Sequence, residues 1–181
     1  MRILTAFCEN NEKTMHHTAW SLLYSYLLSS YGLTQDQLSV SRTSNGKPYF
    51  SSHPSIHFSI AHSHGLVAVA IGNTPVGIDL ERYRPISKRI KTGMLNLPED
   101  APDDLALSRF TELESYVKYT GGKLYRMQYD DMKKTTEPVC RFIDCSHLVC
   151  ADYHLTLCLG MESDQTEVLE ALSQASALDP P

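Results

Sequence analysis

Apolar residues recur along the chain with two periods, and the switches between them mark its elements. Arg2 to Phe7 is rich in apolar side chains and predicts a short strand. From Thr18 to Tyr31 the spacing becomes helical: Trp20, Leu23, Leu27 and Tyr31 share one face, and Gly32 ends the helix. Asn45-Gly46-Lys47-Pro48 has turn chemistry, since Asn and Gly accept positive φ and Pro fixes φ, so a loop is expected before a strand. Ile56 to Leu80 is β-branched and apolar, interrupted at His64-Gly65 and at Gly72-Asn73-Thr74-Pro75, which predicts three strands joined by tight turns. Asp103 or Asp104 is the expected cap of a helix reaching about Thr120, with Gly121-Gly122 as its stop. Val139 to Ile143, His147 to Cys150 and His154 to Leu159 predict further strands, and the class is α+β. One amphipathic stretch, Val168 to Leu172, lies in an otherwise small and polar tail, 161–181, expected to be partly disordered.

A chain of 181 residues accommodates one core, or two small halves that share one. Its longest apolar stretch, Leu66 to Ile71, is far short of the roughly 20 residues that span a bilayer, so no membrane span is expected. The opening MRILTAFCENNEK lacks the apolar core of a secretory signal, and the expected location is the cytoplasm. Cys8, Cys140, Cys145, Cys150 and Cys158 read as reduced thiols; with His147 and His154 between them zinc is conceivable, but the spacings fit none of the usual finger patterns. A formal charge of −5 argues against general nucleic-acid binding. Within this acidic chain Arg82, Arg84, Lys88, Arg89 and Lys91 form one concentrated basic segment, suited to an acidic partner.

The sharpest chemical feature is Gly77-Ile78-Asp79-Leu80-Glu81. On a strand, residues two apart share a face, so Asp79 and Glu81 sit side by side while Ile78 and Leu80 pack on the other face. At about 4 Å and an effective dielectric near 20 the two charges repel by roughly 4 kcal/mol, which a proton or a divalent cation removes. Oxygen-only ligands favour magnesium. The alternative is a half-exposed strand end with Arg82 or Arg84 as partner. On the predicted helix, Glu114 and Lys118 share a face, whereas Glu112 is turned away by roughly 200°. They make either a third metal carboxylate beside a phosphate-neutralising amine, or an ordinary helical ion pair. His62 is likewise either a ligand-binding residue or a structural histidine after an apolar strand.

Four pieces, taken in order, resemble the Sfp-type 4'-phosphopantetheinyl transferases: Gly46-Lys47-Pro48, Phe58-Ser59-Ile60-Ala61-His62-Ser63, Gly77-Ile78-Asp79-Leu80-Glu81, and Phe110-Thr111-Glu112-Leu113-Glu114-Ser115-Tyr116-Val117-Lys118. The resemblance covers roughly Thr18 to Leu124. It implies a 4'-phosphopantetheinyl transferase-like fold over 1–160, with two similar halves (about 1–75 and 76–160) related by a pseudo-twofold axis and coenzyme A in the cleft between them. It implies magnesium on Asp79, Glu81 and Glu114, catalysis by Glu114 and Lys118, and coenzyme A contacts from Lys47, Pro48, His62, Ser63 and Lys118. The implied reaction is transfer of the 4'-phosphopantetheine arm to a serine of an acidic apo acyl or peptidyl carrier protein by a monomer. Leu113, Ala61 and Phe110 depart from the family's usual lysine, serine and tryptophan, and His16 and His17 stand near its usual amino-terminal basic residues. Two other functions stay open: a degenerate relative that binds carrier or coenzyme without turnover, and an unrelated magnesium-dependent phosphoryl-transfer enzyme.

Overall fold

The computed structural model describes residues 1–136 and 139–160. Its elements are β1 (Arg2–Phe7), α1 (Glu12–Tyr31), β2 (Val40–Arg42), β3 (Pro48–Phe50), β4 (His57–Ser63), β5 (Leu66–Gly72), β6 (Val76–Arg82), α2 (Lys88–Gly93), α3 (Asp103–Thr120), α4 (Tyr129–Thr136), β7 (Cys140–Asp144) and β8 (Tyr153–Gly160). The fold is α+β with antiparallel sheets, ordered β1-β5-β4 and β6-β8-β7, and β2 and β3 form a separate hairpin. In each larger sheet the third strand in the sequence lies between the first and the second, and a long helix precedes that second strand. The expected tail, 161–181 with Val168 to Leu172, lies outside the described residues.

Leu66 to Ile71 is buried throughout because β5 has a core on each face. Val67, Val69 and Ile71 pack with Leu23 and Leu27 of α1, while Leu66, Ala68 and Ala70 pack with Ile78, Leu80, Leu155 and Leu157 of the second sheet. Ala61, Ala68 and Ala70 are the small side chains on that sheet-to-sheet face, opposite larger ones. β4 and β6 meet edge to edge through serines rather than a ladder: the Ile78 N–H donates to Ser59 Oγ at 3.0 Å and the Arg82 N–H to Ser63 Oγ at 3.1 Å. These hydroxyls satisfy edge amides that would otherwise lie unpaired between the sheets. Among the described residues no helix is long and apolar enough to cross a membrane.

The three strands between Ile56 and Leu80 form where the turns predict them, and Gly32 and Gly121 close α1 and α3 in left-handed conformation. Three expectations are corrected. α1 starts at Glu12, capped by Asn11 whose side chain accepts from the Thr14 N–H, because its first turn is solvated and apolar spacing does not mark it. Neither Asp103 nor Asp104 caps α3; Pro102 occupies that position, and the Asp103 carboxylate instead accepts from the Ile86 N–H at 3.0 Å and pairs with Lys91 at 2.8 Å. His147 to Cys150 is no strand: a 3-10 turn covers Ser146–Leu148, with Ser146 donating its N–H and hydroxyl to Asp144 Oδ1.

Gly77 sets how closely α3 lies on β6. A Cβ there would fall inside contact distance of the Ser115 carbonyl oxygen and the Tyr119 amide, which are helix backbone and have no room to yield. Gly77→Ala should therefore destabilise the fold by about 1 to 3 kcal/mol by forcing the helix outward. Urea unfolding checks this; an unchanged midpoint would mean that the helix tolerates displacement.

Candidate active site

β6 divides its side chains between two environments. Val76, Ile78 and Leu80 enter the core between the sheets, and Gly77, Asp79 and Glu81 face α3. Because Gly77 admits the helix, Lys118 reaches the strand, and its Nζ lies 2.6 Å from Asp79 Oδ1. Asp79 is 5% exposed, and its Oδ2 is buried without a hydrogen-bond partner. Glu81 is half-buried: Ser63 Oγ donates to its Oε2 at 3.4 Å, and Arg84 Nη2 lies 3.5 Å away. Ser63 also accepts from the Arg82 N–H, so one hydroxyl fixes both the β4–β6 seam and the Glu81 carboxylate.

Glu114 joins this group from the next turn of α3. Burial and then the Asp79 charge push its carboxyl up to about 7, Lys118 pulls it down, and Glu81 adds to the rise. Glu81 is raised by burial and by Asp79, against Arg84 and Lys118. Glu112 points away as the helical angle requires, to the Tyr129 hydroxyl and to Lys133 at 3.0 Å. The structure thus brings Asp79, Glu81, Glu114 and Lys118 together from two elements. Among the described residues no three histidine, cysteine or carboxylate side chains close on one point as a metal-binding group; the Lys118 ammonium holds Asp79 Oδ1. The five cysteines are free thiols, and His154 turns to Asp104 at 3.1 Å.

His62 stands exposed near the end of β4. Partial burial and the Lys118 charge lower its imidazole pKa, with Glu12 opposing. Lys47 is more committed: its Nζ donates to the Tyr119 carbonyl at 2.9 Å and reaches the Val76 carbonyl at 3.5 Å, and burial lowers its ammonium pKa. With Asn45, which donates to the Gly121 carbonyl, it clasps the end of α3. Lys47, Pro48 and Lys118 line one cavity of about 260 Å³, walled by Phe58, Ile60 and Val117. A second, of about 220 Å³, lies on the other side of Lys47 and Pro48, against Phe50 and His57.

The basic segment is less uniform than its sequence. Lys91 is buried, donating to the Ala101 carbonyl and pairing with Asp103; Lys88 pairs with Glu99 at 2.9 Å; and Arg84 lies by Glu81 and over the Phe110 ring. Arg82 and Arg89 are exposed. The roles of Gly77, Ser59 and the buried Thr111–Thr156 hydroxyl pair at 2.8 Å, which ties α3 to β8, escape sequence reasoning. Gly77 alone carries a signal, as a glycine beside a strand carboxylate.

No protein-family model matches the chain. Among curated proteins it is similar to 4'-phosphopantetheinyl transferases: 30% identical over 100 residues to psf-1 of Bacillus pumilus, 33% over 101 residues to one of Bacillus subtilis, and 32% over 113 residues to gsp of Aneurinibacillus migulanus. These alignments cover 50%, 51% and 58% of this chain and 43%, 45% and 47% of the relatives. The chain therefore spans about half the length of the curated relatives it matches, and the resemblance carried by its motifs is borne out.

The raised Glu114 carboxyl has a thermodynamic consequence. It titrates at about 7 in the folded chain against 4.5 for an ordinary glutamate, so its contribution to stability is full below pH 4.5 and is lost as pH rises through 7. In metal-free buffer Glu114→Gln should unfold at higher urea than the parent at about pH 8, and the gap should close by about pH 5. A gap independent of pH would place the carboxyl in its ordinary range.

Proposed function

We propose that the chain transfers the 4'-phosphopantetheine arm of coenzyme A to a serine of an apo acyl or peptidyl carrier protein in a magnesium-dependent reaction. The observation that carries this reading is the meeting of Asp79 and Glu81 with Glu114 and Lys118 across the β6–α3 contact. The donor chemistry suits a hard divalent cation: it is oxygen-only, one buried oxygen of Asp79 is unpartnered, and Glu114 is raised by burial and then by the charges of Asp79 and Glu81. Asp79, Glu81 and Glu114 would hold the ion, and bound magnesium supplies neutralisation of pyrophosphate charge.

The chain's own residues divide the remaining work. Lys118 lines the 260 Å³ cavity and carries an ammonium to the carboxylates, where it offsets phosphate charge and protonates the departing 3',5'-ADP. Glu114, poised near neutrality, takes the proton from the carrier serine. Pro48 and the stem of Lys47 wall the cavity assigned to coenzyme A, and the exposed His62, in electrostatic reach of Lys118, offers its imidazole to a phosphate. Ser63 is buried and enters through its bond to Glu81. The equal strand order of the two sheets supports two similar halves, about 1–75 and 76–160, about a pseudo-twofold axis, with the cleft between them. We take the chain to act as a cytoplasmic monomer. An acidic carrier would meet the exposed Arg82 and Arg89, not Lys91. A second reading, binding without turnover, is favoured by the Lys118–Asp79 pair and by the engaged Lys47 ammonium, both of which must be offset by ligand.

Incubation with apo carrier proteins, coenzyme A and magnesium, followed by intact mass measurement, separates these readings: gain of one phosphopantetheine is expected, and coenzyme binding without gain would establish the second. Asp79→Ala and Glu81→Ala should lower kcat by about 100-fold or more while circular dichroism stays unchanged. Arg82→Glu with Arg89→Glu should raise KM for the carrier and leave KM for coenzyme A in place. Equal loss for both substrates would put the fault in the cleft rather than in docking.

A further inference from the structure

Two of the five free thiols meet in the core, away from the carboxylates. β7 and β8 pair with Cys140 opposite Gly160 and Phe142 opposite Cys158, so Cys140 and Cys158 are diagonal neighbours on one face of the sheet. That face packs under α3: both cysteines belong to the cluster that holds Leu113 and Tyr116. Cys140 is 5% exposed and Cys158 fully buried. Their thiols are hydrogen-bonded to each other. That bond lowers the Cys140 pKa against burial, with the Lys133 ammonium adding to the fall; the same bond, then burial and the Cys140 charge, raise Cys158, against Lys47.

Two thiols in contact can close a disulfide or share a metal ion, and the strand register separates the two outcomes. Diagonal neighbours on facing strands stand about 7 to 8 Å apart. A disulfide needs Cβ atoms about 4 Å apart and Cα atoms within about 7 Å, so this pair closes only if the backbone moves. An ion bonded to each thiolate at about 2.3 Å spans the gap instead. Zinc asks for four ligands, and among the described residues no third histidine, cysteine or carboxylate joins the pair. Two thiolates in an apolar pocket suit a soft monovalent cation, and Met132, buried in the same cluster, adds polarizable surface. Charge favours the same ion. A bis-thiolate of a monovalent cation carries one negative charge, and Lys133 and Lys47 act on Cys140 and Cys158 respectively, with Glu112 opposing at Cys158. Entry is open at the outer strand: β7 edges its sheet, Val139 before it is exposed, and Lys133 is half-exposed.

We propose that Cys140 and Cys158 form a two-coordinate thiolate site for copper(I), between β7 and β8 beneath α3. Each ion that binds forms two metal–sulfur bonds and displaces the two thiol protons to solvent, with no change of oxidation state. The site is independent of the carboxylates and of the transferase reading.

The test titrates the reduced full chain with copper(I) held by bathocuproine disulfonate, without oxygen, magnesium or coenzyme A. The chain should withdraw one copper(I) per molecule and release the two thiol protons into weakly buffered solution. Cys140→Ala and Cys158→Ala should each weaken capture by about 100-fold or more, and Cys8→Ser with Cys150→Ser should leave it unchanged. Lys133→Gln, a half-exposed change that keeps both thiols, should weaken capture by about tenfold, so the test holds even where a core variant fails to fold. Failure to withdraw copper(I), capture that persists in both alanine variants, or capture indifferent to Lys133→Gln overturns the proposal.

Discussion

The contact on which the rest of the site depends is that of Lys118 with Asp79, made across a strand residue that has no side chain. A carboxylate that is 5% exposed has given up most of its hydration, and only a close, well-aligned counter-charge makes that tolerable. The counter-charge comes from a helix, so the helix must lie nearly on the strand, and Gly77 is what permits it. Once α3 is held there, Glu114, one turn before Lys118, is drawn into the same space and cannot escape the Asp79 field. The position of the group, and the burial and neighbouring charge that raise Glu81 and Glu114, thus follow from one close approach.

Two further devices keep α3 in register without entering the group of acids. At its carboxyl end, Lys47 and Asn45 donate to the Tyr119 and Gly121 carbonyls, groups that a helix end leaves without intrahelical partners. In its middle, Thr111 and Thr156 share a buried hydrogen bond that fixes the helix along β8. The Gly46-Lys47-Pro48 turn therefore couples the amino-terminal part of the chain to the helix that carries Glu114 and Lys118. Lys47 lines the cavity while it does so, so occupation of that cavity and placement of α3 act on one side chain.

What the sequence makes legible is whatever depends on local spacing. The strands from His57 to Arg82 follow from apolar, β-branched runs broken by turn residues, and the pairing of Asp79 with Glu81 on one face and the divergence of Glu112 from Glu114 follow from periods of 2.0 and 3.6 residues. Elements shaped by contacts distant in sequence are not legible. α2 and α4 are short, and α4 is held against α3 by Tyr129 and Lys133 on Glu112; nothing in the local pattern around Tyr129 announces that. Lys91 looks like its basic neighbours, yet it is buried because Asp103, 12 positions on, waits for it. His147 to Cys150 has strand-like composition, but Asp144 captures Ser146 first and turns the chain.

The electrostatics of the site also explain why its parts tolerate one another. With all three acids ionised, Lys118 offsets one charge and Arg84, at 3.5 Å from Glu81, part of a second. An excess of negative charge remains in a half-buried space, and it adds to the burial that raises Glu114, whose neighbouring Lys118 is already bonded to Asp79. A proton held on Glu114 near neutrality is one answer to that excess. In the proposed reading a divalent cation is the other, and the two compete for the same carboxylate. In that same reading the closeness of the acids is the source of affinity for a cation rather than a defect of the fold, and the buried, unpartnered oxygen of Asp79 is where a counter-charge is missing.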